Sequence, residues 1–334
     1  MLFCWLRACP VITRRKINVT NEIMVSIICN AYNHEPYIAQ CLDGIVMQKT
    51  NFVFEVLVHD DASTDKTADI IRTYEKKYPH LIKPVYQTEN QYYKGGFAPF
   101  QFPRAKGKYY AFCEGDDYWT DPLKLQKQYD AMEAHPEVDM CAHAAIAIDD
   151  RTGKKMTDIA PEKNDCIIPL EKVIYGGGGF VVSCSQFYRA EMEKNMPPFR
   201  RQMCYDYTTQ IHGAMRGGML YLKDCMSVYR CMAAGSWSTN MRKDPEKMKA
   251  HEKKVDKMLR QLDVDTDGKY HEVIEFTLLR REFDACRYAN AYRDLLDVRF
   301  KKCMESLPKS ERLRIYLKAY FPGISNLLNK LRNR

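Results

Sequence analysis

Two acidic clusters in this 334-residue chain stand where like charges are ordinarily avoided. The stretch KYYAFCEGDDYWTDPLKLQKQ, Lys108 to Gln128, sets Glu114, Asp116 and Asp117 against a run of strand formers with only Gly115 among them. Carboxylates a few ångströms apart raise one another's pKa, so the cluster costs free energy unless a cation or polar ligand sits among them. Their oxygens suit a hard divalent ion, Mg or Mn, bridging to phosphate. The second cluster is Asp60 and Asp61 in VHDDASTDKTADI. Ser63 or Thr64 reads as a helix cap there, which leaves the paired acids unexplained. At the carboxyl end of a strand such acids can accept hydrogen bonds from a nucleoside's base or ribose. No GxxxxGK[ST] and no GxGxxG after the first strand is present, so phosphate charge would fall to the metal. A solvated turn remains the ordinary reading of a lone pair of aspartates.

The elements that must hold these acids alternate. Val25 to Cys29 and Phe54 to Val58 are short apolar runs bounded by turn residues, the pattern of buried strands. Between them Pro36 to Met47 places Ile38, Cys41, Leu42, Ile45 and Val46 at helical spacing. A second helix is expected over Lys66 to Tyr78, then strands at Ile82 to Tyr86 and Tyr109 to Cys113. Alternation of this kind implies parallel strands with helices on the faces of an α/β sheet. Right-handed crossovers then gather the strand ends at one edge, where ligands bind. The polar clusters NAYNHEP, HDDASTD and EGDDYW each follow such an end. Beyond Ala131 the pattern loosens to a strand at 138–148, a hairpin turn at 150–154, the run YGGGGFVVSCSQFYR looping into a strand, a helix at 205–216 and the strand MLYL. After Asp244 the text is helical and basic, with Met248, Val255, Met258, Leu259 and Leu262 as one stripe. A boundary is expected near 240.

The totals narrow the class only a little. Hydrophobic residues at 46% and charged residues at 28% exclude the fibrous and low-complexity classes. The thirteen cysteines are scattered and lack paired CxxC spacing, so they read as reduced thiols in the core rather than zinc ligands or a disulfide framework. Reduced thiols point to the cytoplasm. The opening MLFCWLRACPVITRRKINV makes a poor signal peptide, no run of 18 apolar residues appears, and residues 1–23 read as a tail or a misassigned start, with Met24 as the alternative start.

The segments VSIICNAYN, VLVHDDASTDKT and GKYYAFCEGDDYW, in that order and at these spacings, resemble the nucleotide-sugar-binding half of a family 2 glycosyltransferase with the GT-A fold. The likeness covers roughly 24–132 and continues more loosely to 240. It implies a GT-A mixed sheet flanked by helices, a nucleotide-sugar-binding half at 24–132, an acceptor half at 133–240 and a helical basic extension at 241–334. It implies that Tyr32 lies against the nucleotide base, that Asp61, beside Asp60, serves the base or ribose, and that Glu114, Asp116 and Asp117 hold Mg or Mn against the diphosphate. A catalytic base is implied in CYDYTTQIHGAMRGGMLYL, which makes Asp206 the candidate, and Arg104 stands where the family carries a donor-binding arginine. Two departures from the family pattern are Glu114 in place of the first aspartate of DxD, and NQYYKGGFAPFQFPRAKG in place of GxxxARNxG.

The resemblance thus implies metal-dependent transfer of a sugar, with inversion, from a nucleoside diphosphate sugar to a hydroxyl of a growing, lipid-linked surface glycan. Nucleic acid is not among the expected partners. Two rivals use the same text. A metal-dependent nucleotidyl or phosphoryl transferase would need the acids but not Asp206, and a non-enzymatic scaffold at the inner face of the cell membrane would need neither.

Membrane contact is expected from the tail, SERLRIYLKAYFPGISNLLNKLRNR. Ile324, Leu327, Leu328 and Leu331 share one helical face beside Lys330, Arg332 and Arg334, and the formal net charge is +8. Anionic headgroups attract such residues at about 1 kcal/mol each, and the apolar face can then settle at the interface. The full chain is expected to co-sediment with anionic vesicles, less at high salt, and a chain ending at Lys309 is expected to lose that binding. Equal sedimentation of the two would remove the tail from the interaction.

Overall fold

The computed structural model describes residues 22–202, 206–231 and 244–321. The tail beyond Phe321, the residues before Glu22 and the expected boundary near 240 lie outside the described residues. Strands β1 (Ile23–Ala31), β2 (Val53–Asp60), β3 (Ile82–Tyr86), β4 (Tyr109–Phe112), β5 (Tyr118–Trp119), β6 (Met140–Asp149), β7 (Lys155–Ile159), β8 (Cys166–Ile168), β9 (Phe187–Arg189) and β10 (Met219–Cys231) form one mixed sheet. Its order is β3, β2, β1, β4, β9, β6, β10, β5, with β7 on β6 and β8 on β10. Strands β3, β2, β1 and β4 run parallel, as the alternating pattern requires.

Strand alternation divides the core. Val25, Ile27 and Cys29 of β1 and Tyr109 and Ala111 of β4 join one apolar cluster with Ile38, Cys41, Leu42 and Ile45 of the helix Ile38–Val46. Ile28, Tyr110 and Phe112 point the other way, into a cluster with Tyr188, Tyr207 and Ile211. The period of two sends successive side chains to opposite faces, and helices on both sides explain why β1 is apolar nearly throughout.

The second half departs from the sequence pattern at three places. A short strand, β9, is antiparallel to both β4 and β6 and so makes the sheet mixed at its centre. The MLYL run does not end at Leu222, because β10 continues to Cys231 through register shifts at Leu222, Cys225 and Ser227. The acidic turn is followed at once by β5, which folds back antiparallel onto β10. A two-residue strand has too little text to be seen before its partner is known.

The helices Pro245–Asp265 and His271–Tyr288 pack onto the second half. Val255, Met258, Leu259, Leu262 and Ile274 share a core with Phe199 and Tyr207, and Asp265 accepts the Phe199 N–H at 2.8 Å. Met248, expected on that stripe, is exposed instead, because it lies only one turn inside the helix start. Among the described residues no helix is long and apolar enough to cross a membrane. The described cysteines form no disulfide, and Cys29, Cys41, Cys113, Cys141, Cys184 and Cys303 are buried.

Under β9 lies a buried ion pair. Arg200 and Glu193 are each 7% exposed, Tyr188 donates its hydroxyl to the same carboxylate, and the guanidinium also reaches Met192 O, His212 Nδ1 and Thr209 Oγ1. Arg200→Met leaves Glu193 charged and buried, a loss expected to cost about 3–5 kcal/mol. Urea unfolding measures it, and a loss below about 1 kcal/mol would show the pair to be as weak as one on the surface.

Candidate functional site

The carboxyl ends of β1 and β2 are tied together by their own polar side chains. Asn33 and Ala62 both adopt the left-handed conformation, at φ of 54° and 62°, which turns the two loops toward each other. Ser63 Oγ accepts the Asn33 N–H at 3.0 Å and Asn33 Oδ1 accepts the Thr64 N–H at 2.8 Å. Thr67 Oγ1 and Asp65 Oδ2 accept the N–H groups of His34 and Glu35. Ser63 and Thr64 therefore do not cap the helix Thr67–Lys77 as expected. They bind the neighbouring loop, and Asp65 takes the Thr67 N–H.

Beside this loop pair the acidic turn continues β4. Gly115 N–H donates to Asn30 O at 2.8 Å, and a Cβ at Gly115 would come within 2.7 Å of His34 Nδ1, so only glycine lets the turn lie so close to β1. The Asn30 amide donates to Glu114 Oε1 at 3.2 Å. Burial first, then the charges of Asp116 and Asp206, push the Glu114 carboxyl up to about 8 despite that hydrogen bond. Asp116 is half-buried, and its carboxylate makes no hydrogen bond or ion pair among the described residues. Asp117 turns inward. It is 1% exposed, its Oδ1 accepts the Arg230 N–H at 2.8 Å, and burial followed by the Asp116 charge raises its pKa well above the carboxylate range.

Asp206 opens the helix Asp206–Met215. That helix is held from inside by Tyr207, whose hydroxyl donates to Ile174 O, and by Gln210, whose amide donates to Gly178 O and Val181 O at 3.1 Å each. The glycine run is thus a turn pinned beneath this helix before it enters β9. Asp206 meets solvent, yet enough protein surrounds its carboxyl to push the pKa up to about 6, against a smaller opposing pull from the Gln186 amide. Gln186 is buried, and its nitrogen lacks a partner at ordinary hydrogen-bond distance. Its carbonyl accepts the Phe112 N–H at 3.3 Å, which fixes Gln186 beside the end of β4 and the start of the acidic turn.

Of the residues expected at a site, Glu114, Asp116 and Asp206 come together, since the Asp206 charge is felt at Glu114. Tyr32 stands at the end of β1, 46% exposed. Asp61 gives one oxygen to the Gln91 N–H at 2.6 Å, whereas Asp60 is buried with Oδ2 on the Ser63 N–H at 3.4 Å. Two expectations need correction. Asp117 presents no exposed oxygen, because its side chain is buried and its Oδ1 is taken by the Arg230 N–H. Arg104 donates to Lys83 O, Val58 O and Gln101 Oε1, so its guanidinium is spent on the strand framework and not on a donor phosphate. His59 is buried, stacked on Phe100 and within 3.2 Å of the Gln87 amide. Sequence reasoning missed Asn30, Gln186 and Arg230. Asn30 alone had a signal, being a polar residue at the end of an apolar strand.

A divalent cation fits the turn in part. Asp116 offers a free carboxylate and Glu114 is crowded by like charge, both of which a cation would relieve. No three His, Cys, Asp or Glu side chains among the described residues form a complete cage, so further oxygens would have to come from a ligand.

Comparison with known proteins agrees with this architecture. The model for glycosyl transferase family 2 matches residues 26–221. An uncharacterized protein of Mycobacterium tuberculosis is 36% identical over 213 residues, which cover 64% of this chain and 60% of that one. TuaG of Bacillus subtilis, described as a putative teichuronic acid biosynthesis glycosyltransferase, is 29% identical over 229 residues, 67% of this chain and 85% of its own. The crystal structure of Staphylococcus aureus TarS has a TM-score of 0.60 at 20% identity, over 89% of this chain and 48% of TarS. A structure of TarS 1-349 in complex with UDP-GlcNAc has a TM-score of 0.57 at 19% identity, over 89% and 79%. The chain thus spans about 60% of the mycobacterial relative's length, and the likeness to TarS is one of fold.

The inward turn of Asp117 gives Asp116 and Asp117 different expected outcomes. Asp117→Asn keeps an oxygen for the Arg230 N–H and replaces a carboxyl whose ionised form burial disfavours, so the melting temperature should hold and Mn2+ binding should persist. Asp116→Asn should weaken Mn2+ binding by about tenfold or more at an unchanged melting temperature. Titration of Mn2+ in the presence of a nucleoside diphosphate separates them, and loss of binding in a folded Asp117→Asn variant would reverse the assignment.

Proposed function

The chain belongs to glycosyl transferase family 2, and on that premise we propose that it moves a sugar from a nucleoside diphosphate sugar to a hydroxyl of a growing, lipid-linked surface glycan, with inversion at the anomeric carbon. One observation carries this reading: a carboxylate tuned to about 6, Asp206, is close enough to the acidic turn to raise the pKa of Glu114. A base on the acceptor side and cation-seeking acids on the donor side, at one edge of the sheet, are what such a transfer needs. The UDP-GlcNAc complex of TarS and the teichuronic acid description of TuaG support a nucleotide-sugar donor and a surface polysaccharide product.

Asp116 and Glu114 would hold Mg or Mn, which offsets charge on the departing diphosphate. Asp117 keeps the turn in place from behind. Tyr32 offers an open aromatic face to the nucleotide base, and the second oxygen of Asp61 can accept from the base or ribose. Asp206 takes the proton of the acceptor hydroxyl as that oxygen bonds to the anomeric carbon and the bond to the diphosphate oxygen breaks on the opposite face. A pKa near 6 leaves Asp206 ionised at neutral pH while keeping it basic enough to receive that proton.

Asp206→Asn should lower transfer by about two to four orders of magnitude and leave nucleoside diphosphate binding nearly unchanged. The base works only when ionised, so the wild-type rate should rise as pH passes upward through about 6 and then level off. Transfer assays across pH and calorimetric titration with UDP and GDP in the presence of Mn2+ check both halves. Equal losses of binding and rate would make Asp206 structural, and full activity without it would favour nucleotidyl or phosphoryl transfer by the same acids.

A further inference from the structure

Arg230 lies near the end of β10, in a sequence context, VYRC, that drew no functional expectation. It is 7% exposed, and every part of it is engaged by a segment remote in the chain. Its N–H donates to Asp117 Oδ1 at 2.8 Å, and its guanidinium donates to the backbone oxygen of Asp116. The same guanidinium donates to Gln40 Oε1 and pairs with Asp150 at 3.6 Å. It lies over the rings of Tyr37 and Tyr118, at 5.0 and 4.7 Å from their centroids. Tyr37 closes the circuit by donating its hydroxyl to Asp150 Oδ2 at 2.5 Å.

Four segments meet on this one side chain: the loop and helix after β1, the acidic turn with β5, the turn after β6, and β10. Only Arg can do this. Its planar fork gives several donors in fixed directions while the faces remain free to stack, whereas a lysine ammonium gives a point charge. The guanidinium's bond to Asp116 O holds the backbone of the turn whose Asp116 carboxylate is left free, while the Arg230 backbone N–H, which any residue but proline at 230 would keep, holds the Asp117 side chain. The Asp150 charge, not Asp116 or Asp117, balances the guanidinium at its far side, so the acid that faces the cleft keeps its own charge for a ligand.

We propose that Arg230 is the positioning residue of the donor site: its guanidinium holds the backbone at Asp116 so that the free carboxylate would be in place for the cation of a metal nucleoside diphosphate. The proposal rests on the function assigned above. Partners that orient a ligating side chain are worth about 10- to 100-fold in metal affinity, and a hold on the backbone of the ligating residue acts in the same way.

The test uses the full chain as Arg230→Met, Arg230→Lys and Tyr37→Phe. Tyr37→Phe keeps the ring beneath the guanidinium and removes the hydroxyl's link to Asp150, so it should fold even if Arg230→Met does not. Hydrogen exchange of the peptide spanning 114–119 should quicken in each folded variant, with no ligand present, while β1 and β2 stay protected. The Kd for Mn2+ in the presence of UDP should rise by about tenfold or more in Arg230→Met and by less in Arg230→Lys and Tyr37→Phe. In transfer assays, added Mn2+ should restore kcat, which a general loss of fold would not allow. Unchanged exchange at 114–119 and unchanged Mn2+ affinity in folded Arg230→Lys and Tyr37→Phe would overturn the proposal. A wild-type chain that binds Mn2+ with neither UDP nor GDP would instead defeat the functional reading, and the exchange measurement would still decide on Arg230.

Discussion

Like charge held close at one edge of the sheet is the constraint around which the site is organised. Glu114, Asp116, Asp117 and Asp206 are brought together: burial and neighbouring acids raise the pKa of Glu114 and Asp117, and burial alone raises that of Asp206. The protein meets that repulsion with directed donors, the Asn30 amide for Glu114 and the Arg230 N–H for Asp117, while the Gln186 amide exerts a weaker pull on Asp206 from beyond ordinary hydrogen-bond distance. Each donor favours the charged form and so works against burial. None of the three reaches Asp116. The free carboxylate is thereby concentrated on one residue, beside a glutamate that a cation would bring back into the carboxylate range.

The mixed sheet brings the two sides of the site together. A wholly parallel arrangement would align β1 to β4 and their loops but would leave the helix of Asp206 on a separate unit. Strand β9, antiparallel between β4 and β6, removes that separation. It sets Gln186 against the end of β4 and Tyr188 against Tyr110 and Phe112, so the core beneath the acidic turn is also the core beneath Asp206. The fold back of β5 onto β10 then buries Asp117 and delivers Arg230 to the turn from behind.

The helices after Asp244 support the second half of the sheet and the helix Asp206–Met215. Phe276 stacks on Tyr175 at 5.7 Å between centroids, Arg280 donates to the Tyr175 hydroxyl, and Arg281 holds Glu252 with two hydrogen bonds. Tyr175 immediately precedes the glycine run that Gln210 clamps one turn from Asp206. The extension thus connects to Asp206 through a short chain of contacts: helix, aromatic pair, glycine turn and the helix Asp206–Met215.

The sequence by itself determined the elements whose pattern is local. The apolar strands β1 to β4, the helices between them and the three polar clusters at their ends were legible because burial on both faces and helical spacing leave a periodic trace. The choice of acids was legible for a similar reason, since adjacent carboxylates beside a strand are conspicuous wherever they occur. What the tertiary structure decided is which carboxylate is free. Asp116 and Asp117 are neighbours of one residue type, and nothing in their text distinguishes them. The turn between β4 and β5 leaves one partly exposed and places the other beneath Arg230, 113 positions away. Arg104 likewise carries a charge that suits a phosphate, but the carbonyls of β2 and β3 claim it first. Contacts at that separation are set by which strands become neighbours, and a sheet's neighbour order is a property of the whole chain's packing, not of any stretch within it.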